Sequence, residues 1–151
     1  MIEKGTVAPD FTLKDHDNNE FHLAEKTGEK ILLSFHPLGW TGICRDQMLS
    51  LESNYDRFKE LNTIPFGVNV DSVPSKKAWA NDMGLQKLRM LSDFWPHGEV
   101  AKLYGVFREA EGFAGRANIV IDEDKKVIFA ETYPISQLPD IEEVIDFLKQ
   151  T

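Results

Sequence analysis

The stretch Ile31-Leu32-Leu33-Ser34-Phe35-His36-Pro37-Leu38-Gly39-Trp40-Thr41-Gly42-Ile43-Cys44 decides the fold. Its first half, residues 31–36, is an almost unbroken apolar run. Apolar residues at adjacent rather than alternate positions predict a strand covered on both faces. Past the loop, Cys44, Met48, Leu51, Tyr55 and Phe58 step by four, three, four and three. That is one apolar stripe at helical period, and it predicts a helix over 44–61. The cysteine is the first member of the stripe, so it sits in the first turn and faces inward. A helix N-terminus carries unpaired N–H groups and a partial positive charge, and both favour a thiolate over a thiol.

Outward from this unit, apolar β-rich runs alternate with amphipathic stretches. Residues 11–14 and 20–23 flank the polar turn 15–19 and predict an N-terminal hairpin. Residues 64–70 and 89–91 predict two further strands. Residues 118–121 and 127–131 surround the charged turn 122–125 and predict a second hairpin. Helices fit over 74–83, with proline in the first turn and Gly84 as a left-handed stop, over 98–104, ending at Gly105, and over 139–149, with Ile141, Val144, Ile145 and Leu148 on one face. The class that follows is α/β: one domain spanning 1–151, a mixed central sheet with helices on both faces and a hairpin added at the front.

Composition narrows the function. The chain has 151 residues, 42% hydrophobic and 28% charged, enough to bury a sizeable core. A net charge of -8 argues against nucleic acid as partner, because binding the phosphate backbone needs a basic patch. No apolar run is long enough to cross a bilayer and no basic leader precedes an apolar segment, so the expectation is a cytoplasmic protein with no membrane partner. With a single cysteine, an intramolecular disulfide and a cysteine zinc cluster are both impossible. The four histidines, His16, His22, His36 and His97, show no paired metal-ligand spacing. Asp15-x-Asp17-x-Asn19 resembles the start of a calcium loop, but Glu20 stands where glycine is needed and Lys26 where glutamate is, so it reads as a turn.

The loop residues each carry two readings. Cys44 is either a reactive thiol or a small core residue. Thr41 offers a hydroxyl to sulfur or substrate, or caps the helix. Pro37 shapes the pocket, or only ends the strand. His36 tunes the thiol, or is a core or loop histidine with both nitrogens satisfied. Trp40, Trp79 and Trp95 read as core or interface aromatics.

The spacing Pro37-x-x-x-Thr41-x-x-Cys44 resembles the active-site motif of the peroxiredoxins, thiol peroxidases of thioredoxin-like fold in the AhpC/TSA superfamily. The likeness extends along the chain. Gly5-Thr6-Val7-Ala8-Pro9-Asp10-Phe11-Thr12-Leu13 is similar to the family's opening, Leu91-Ser92-Asp93 with 100–106 to its later helix region, and Arg116-Ala117-Asn118-Ile119-Val120-Ile121-Asp122 to the strand bearing its active-site arginine. Residues 42–44 and 92–98 are most similar to the one-cysteine AhpE-type subgroup. The resemblance implies Cys44 as nucleophile, Thr41 and Arg116 as the groups that position and polarise a peroxide, and Pro37 as shield of the pocket, with no metal or organic cofactor. Arg108, beside Glu109 and Glu111, suits a surface ion pair instead.

Relatives with a resolving cysteine five residues downstream have Leu49 here as the counterpart, and no C-terminal cysteine is present. The resemblance therefore implies an external reductant, a small thiol or a thioredoxin- or glutaredoxin-like protein. It also implies a homodimer, with Trp40, Phe94 and Trp95 near the interface. A peroxide sensor that passes its oxidation to a partner by mixed disulfide is the alternative. A thioredoxin-like oxidoreductase is disfavoured, since Thr41 stands where Cys-x-x-Cys needs its first cysteine.

Overall fold

The computed structural model describes residues 1–151. Strands β1 (Thr12–Asp15), β2 (Glu20–His22), β3 (Lys30–Phe35), β4 (Thr63–Asn69), β5 (Arg89–Ser92), β8 (Arg116–Ile121) and β9 (Val127–Tyr133) form one sheet in the order β2-β1-β5-β4-β3-β8-β9. β3, β4 and β5 are parallel, joined by helical crossovers; every other pairing is antiparallel. This is the mixed sheet of a thioredoxin-like fold. The N-terminal hairpin does not stand apart. β1 pairs with β5, so the hairpin extends the same sheet at its edge.

β3 lies between β4 and β8, and all but its first residue are buried, as its unbroken apolar run predicts. Alternate side chains enter two cores. Ile31, Leu33 and Phe35 join Phe66, Val68, Ala117, Ile119 and Tyr104 on one side. Leu32 joins Cys44, Met48, Trp79, Val120 and Val144 on the other, beneath α1 (Gly42–Ser53), α3 (Val73–Met83) and α5 (Ile141–Lys149). α3 and α5 are capped by side chains at their N-termini. Ser72 Oγ accepts the Ser75 N–H at 3.4 Å, Gly84 ends α3 at φ +70°, and Asp140 accepts the Glu142 N–H at 3.0 Å.

The helix expected over 44–61 is two helices, α1 and α2 (Tyr55–Glu60), with a break at Asn54. The stripe survives the break, but the backbone does not run through it. Ser53 Oγ donates to Leu49 O at 2.7 Å and Asn54 Nδ2 to Ser50 O at 2.8 Å, side-chain bonds to the i−4 carbonyl of the kind that bend a helix. The expected 98–104 helix shortens to α4 (Glu99–Leu103), with Gly98 as its left-handed N-cap. A two-stranded ribbon, β6 (Phe107–Arg108) and β7 (Phe113–Ala114), has no counterpart in the sequence reading. Each strand is only two residues long, too short to show a period.

Candidate active site

The chain leaves β3 through buried His36 and Pro37, and enters α1 two residues before Cys44. Two features hold the intervening loop. The Gly39 N–H donates to Asp71 Oδ2 at 2.7 Å, and a Cβ at Gly39 would stand 2.5 Å from that oxygen and 3.2 Å from the Trp79 ring, so only glycine fits. Trp40 then takes a left-handed backbone, φ +66°, and turns the chain into Thr41, the N-cap. Thr41 does not cap with its side chain. Its hydroxyl donates to Leu38 O at 2.8 Å, which consumes its only hydrogen and leaves both lone pairs free to accept. The N–H groups of the first turn of α1 therefore keep no side-chain partner and carry the positive end of the helix dipole.

Cys44 is 1% exposed and Arg116 3%. Arg116 Nη1 lies 3.4 Å from Cys44 Sγ. The sequence separates these two residues by 72 positions; the sheet joins them, because α1 follows β3 and Arg116 opens its antiparallel neighbour β8. Further bonds fix the guanidinium: Nε and Nη2 donate to Ile135 O at 3.1 and 2.7 Å, and Nη1 to Gln47 Oε1 at 2.8 Å. Four of its five hydrogens are thus engaged, and one on Nη2 has no protein acceptor. No carboxylate lies within ion-pair distance of it, and the nearest atom that can carry a negative charge is Cys44 Sγ. Arg108, by contrast, pairs with Glu111 at 2.5 Å on the surface.

Behind this pair runs a buried polar chain that the sequence reading did not identify. Gln47 Nε2 donates to Ser34 Oγ at 2.7 Å and to Phe35 O at 3.1 Å, and Ser34 Oγ donates to Asn118 Oδ1 at 2.7 Å. Ser34 and Asn118 face each other across the β3–β8 ladder. The available signal was a polar residue inside each of two otherwise apolar strands, and Gln47 beside Met48 on the inner side of α1. A polar group so buried is favourable only when it has a partner.

A cavity of about 410 Å³ opens over the sulfur. Thr41, Cys44, Arg116 and Ser136 supply its polar side chains. Pro37, Leu38, Ile43, Phe113 and Ile135 supply apolar wall. Phe113 arrives on β7 and Ile135 on the segment after β9, and neither was singled out in the sequence. All four residues expected at the site, Pro37, Thr41, Cys44 and Arg116, line this one cavity. Thr41 and Cys44 are not hydrogen-bonded to each other. His36 departs from the expectation of a satisfied core histidine. It is fully buried, its Nδ1 lies 3.3 Å from Ser34 O, and its Nε2 has no partner. Among the tryptophans, Trp79 is core, while Trp40 and Trp95 are 55% and 80% exposed. The acidic turn is held by Asp15, which accepts the N–H groups of Asp17 and Asn19 and pairs with Arg89 at 2.7 Å.

Comparison with known proteins places the geometry. Residues 4–130 match the AhpC/TSA family. The chain is 39% identical over 132 residues to alkyl hydroperoxide reductase E of Mycobacterium tuberculosis, covering 87% of this chain and 86% of that protein. It is 36% identical over 133 residues to a thiol peroxidase of Staphylococcus aureus, covering 87% and 77%. Among solved structures, the reduced 2-Cys peroxiredoxin of Plasmodium vivax superposes with a TM-score of 0.91 at 25% identity, covering 99% of this chain and 81% of that one. Enterococcus faecalis AhpC also gives 0.91, at 24% identity, over 99% and 92%.

Proposed function

The chain belongs to the AhpC/TSA family, and on that premise we propose that it is a one-cysteine thiol peroxidase that reduces hydrogen peroxide and organic hydroperoxides through a sulfenic acid on Cys44. The observation that carries the reading is the Arg116 guanidinium 3.4 Å from Cys44 Sγ, unpaired with any carboxylate, at the floor of an open cavity.

The chemistry follows from the groups present. The thiol proton leaves to solvent, and the guanidinium and the N-terminus of α1 hold the resulting thiolate. The peroxide enters with a terminal O–H donating to Thr41 Oγ1, an acceptor because its own hydrogen is spent on Leu38. A sulfur lone pair attacks that terminal oxygen. The S–O bond forms as the O–O bond breaks, and the electron pair leaves on the second oxygen as alkoxide or hydroxide. The free Nη2 hydrogen of Arg116 faces charge that grows only as the O–O bond opens, which makes it a transition-state interaction. The leaving oxygen takes a proton from solvent, so one thiol and one peroxide give one sulfenic acid and one alcohol or water. Pro37 forms part of the wall and has no N–H to compete for the oxygens.

These 151 residues hold no second thiol, so an external thiol reduces the sulfenic acid by way of a mixed disulfide on Cys44. We assign that role to a small thiol or a thioredoxin- or glutaredoxin-like protein. We also read the chain as a homodimer, because Trp40, Phe94 and Trp95 are 55%, 52% and 80% exposed in one copy and suit the apolar centre of an interface. A dimeric mass by light scattering at micromolar concentration is the expected result. No helix is long and apolar enough to cross a membrane.

Intact-protein mass spectrometry after one equivalent of peroxide tests the reading. One oxygen added per chain, trapped by a sulfenic-acid reagent and converted to a thiol adduct on addition of thiol, is the expected result. Peroxide consumption that survives Cys44→Ser overturns it, since a serine hydroxyl is not ionised near neutrality and cannot take the oxygen.

A further inference from the structure

Phe113 reaches the cavity over the sulfur on a ribbon with little support of its own. β6 and β7 are two residues long, and they pair Phe107 with Ala114 and Arg108 with Phe113. Paired residues share a face and neighbours along a strand do not, so Phe107 and Phe113 point to opposite sides. At the base of the ribbon the Gly115 N–H donates to Val106 O at 2.7 Å. A second cavity, of about 310 Å³, has Phe107, Arg108, Thr132 and Tyr133 in its lining, and Arg116 borders both cavities. The ribbon thus has open space on two sides, and its outer end needs a tether to stay in place.

His97 and Gly98, just ahead of α4, supply that tether. His97 Nε2 lies 2.6 Å from Gly112 O. A carbonyl can only accept, so Nε2 carries the ring hydrogen and donates. Gly112 is the residue before Phe113 and takes a left-handed backbone, φ +78°. On the face away from Phe113, the Phe107 ring stands edge-on to the His97 ring, at 5.9 Å and 85°. It also covers Gly98, where a Cβ would stand 2.2 Å from the ring, so only glycine fits. The tether is itself anchored to the end of β5. Asp93 accepts the N–H groups of Val100 and Ala101 at 3.0 and 2.9 Å, and the Gly98 N–H donates to Asp93 O at 2.9 Å. A run of measured contacts therefore leads from the sheet through His97 to the residue beside Phe113.

We propose that Phe113 is a specificity-determining residue of the peroxidase site and His97 its positioning residue: the Phe113 ring is the surface against which the apolar group of an organic hydroperoxide packs, and the His97 bond to the Gly112 carbonyl holds it there. The inference rests on the peroxidase reading and names what selects the substrate. The peroxide group itself takes roughly the room of two waters, about 60 Å³. The cavity offers about 410 Å³, and the space left over is walled by Pro37, Leu38, Ile43, Phe113 and Ile135. With the peroxide oxygens at Thr41 and Arg116, a substituent extends towards that wall, and its burial favours the reaction in proportion to the apolar area removed from water. Hydrogen peroxide has no substituent and leaves the wall unused. Pro37, Leu38 and Ile43 belong to the loop and first turn that present Cys44. Phe113 comes from a separate element with a separate tether, so its place can change while the turn that holds the sulfur does not.

The test is a ratio of rates. Oxidation of Cys44 is followed by rapid quench and intact-protein mass spectrometry with cumene hydroperoxide and with hydrogen peroxide, and the first rate is divided by the second in each variant, so that a general loss of the site cancels. The ratio falls about tenfold in Phe113→Ala, the scale of one apolar contact in a pocket. It falls about threefold in His97→Ala, the scale of one hydrogen bond, and recovers in His97→Gln, whose amide still donates to the Gly112 carbonyl. A ratio in Phe113→Ala that stays within twofold of wild type, or rises, overturns the specificity role. An unchanged ratio in His97→Ala, or equal losses in the Ala and Gln variants, overturns the positioning role. A second measurement needs neither turnover nor a change in the ribbon. In Cys44→Ser, 2-phenyl-2-propanol, the alcohol that cumene hydroperoxide leaves, gives nuclear Overhauser contacts to the Phe113 ring; alcohol bound without them overturns the proposal. A wild type whose Cys44 reacts with neither peroxide refutes the peroxidase reading itself, and the proposal with it, and is told apart from the ratio outcomes because each of those requires reaction.

Discussion

The two faces of the central sheet are built from the same strands and do different work. On one face, β3 offers Ile31, Leu33 and Phe35, and β8 offers Ala117, Ile119 and Ile121, all within one apolar core. On the other, β3 runs Leu32, Ser34, then His36 past its end, while β8 runs in the opposite direction through Val120, Asn118 and Arg116. Leu32 pairs with Val120 and Ser34 with Asn118, so the second face turns polar one pair at a time towards the edge where α1 begins. Because strand side chains alternate, the apolar face keeps its packing while the polar end of the other carries chemistry.

The largest test of this division lies on the apolar face. Leu33 is fully buried there. Leu33→Ala removes packed methyl groups and leaves a cavity, at a cost of roughly 2–5 kcal/mol. The expected outcome is a large drop in the urea midpoint with the peroxide rate per folded molecule unchanged. A rate that falls in step with stability would show that the two faces are not separable.

On the polar face the expectation reverses. Arg116→Ala deletes the guanidinium that stands 3.4 Å from the sulfur and that the proposed mechanism sets against the leaving oxygen. Loss of a group of this kind slows reaction by about 100-fold. It also leaves Gln47 Oε1 without its donor, so stability falls too, by about 1–3 kcal/mol. Stopped-flow rates with excess peroxide, set beside an unfolding curve, separate the effects. A variant within threefold of wild type would remove Arg116 from the reaction.

Gln47 sharpens the comparison further. It touches no substrate atom and acts by holding Arg116 through the Ser34–Asn118 chain. Gln47→Leu keeps the volume, frees the guanidinium to rotate, and is expected to slow sulfenic acid formation by about tenfold, the scale of a misplaced positioning group. Gln47→Glu should restore much of the rate, since a carboxylate oxygen still accepts from Nη1, while adding a charge that competes with the thiolate for the guanidinium. Equal losses in Leu and Glu variants would mean that the amide's donation to Ser34, not its grip on Arg116, is what counts.

How far the sequence reveals this arrangement depends on whether a residue works locally. The strand 31–36, the inward cysteine and the alternation of elements are set by periodicity and were legible. Pro37, Thr41 and Cys44 lie within one loop and turn, so their spacing was readable; Arg116 came through family likeness, because only strand pairing brings it 72 positions to the sulfur. Gln47, Ser34 and Asn118 were not legible, because each looks like an ordinary polar residue until the β3–β8 register is known. The break at Asn54 was missed since the apolar stripe continues across it, and β6–β7, which delivers Phe113, is too short to have a pattern. Lys76 stood in plain view at a helical core position, but charged residues at such positions usually read as the edge of a stripe.

The smallest expected effect concerns pH, and it comes from Lys76 on α3, which is fully buried with no hydrogen-bond partner for Nζ. Lys76 titrates near 7 in the folded protein and near 10.5 in the unfolded chain. Between those values the unfolded chain binds the extra proton, so stability rises with pH. Asp93 works in the opposite direction at lower pH. Burial pushes it up to about 6 from 3.8, so between those values the folded state binds more protons and stability falls as pH rises. The two together place a stability minimum near pH 6 to 7. Lys76→Met removes the alkaline limb, because a thioether has no proton to exchange and the core no longer holds an unpaired cation. Urea unfolding should therefore show Lys76→Met more stable than wild type at pH 7, with the gap narrowing by about 1 kcal/mol by pH 8. A gap that stays constant between pH 7 and 8 would mean that Lys76 stays protonated in the folded protein across this range, as it is in the unfolded chain.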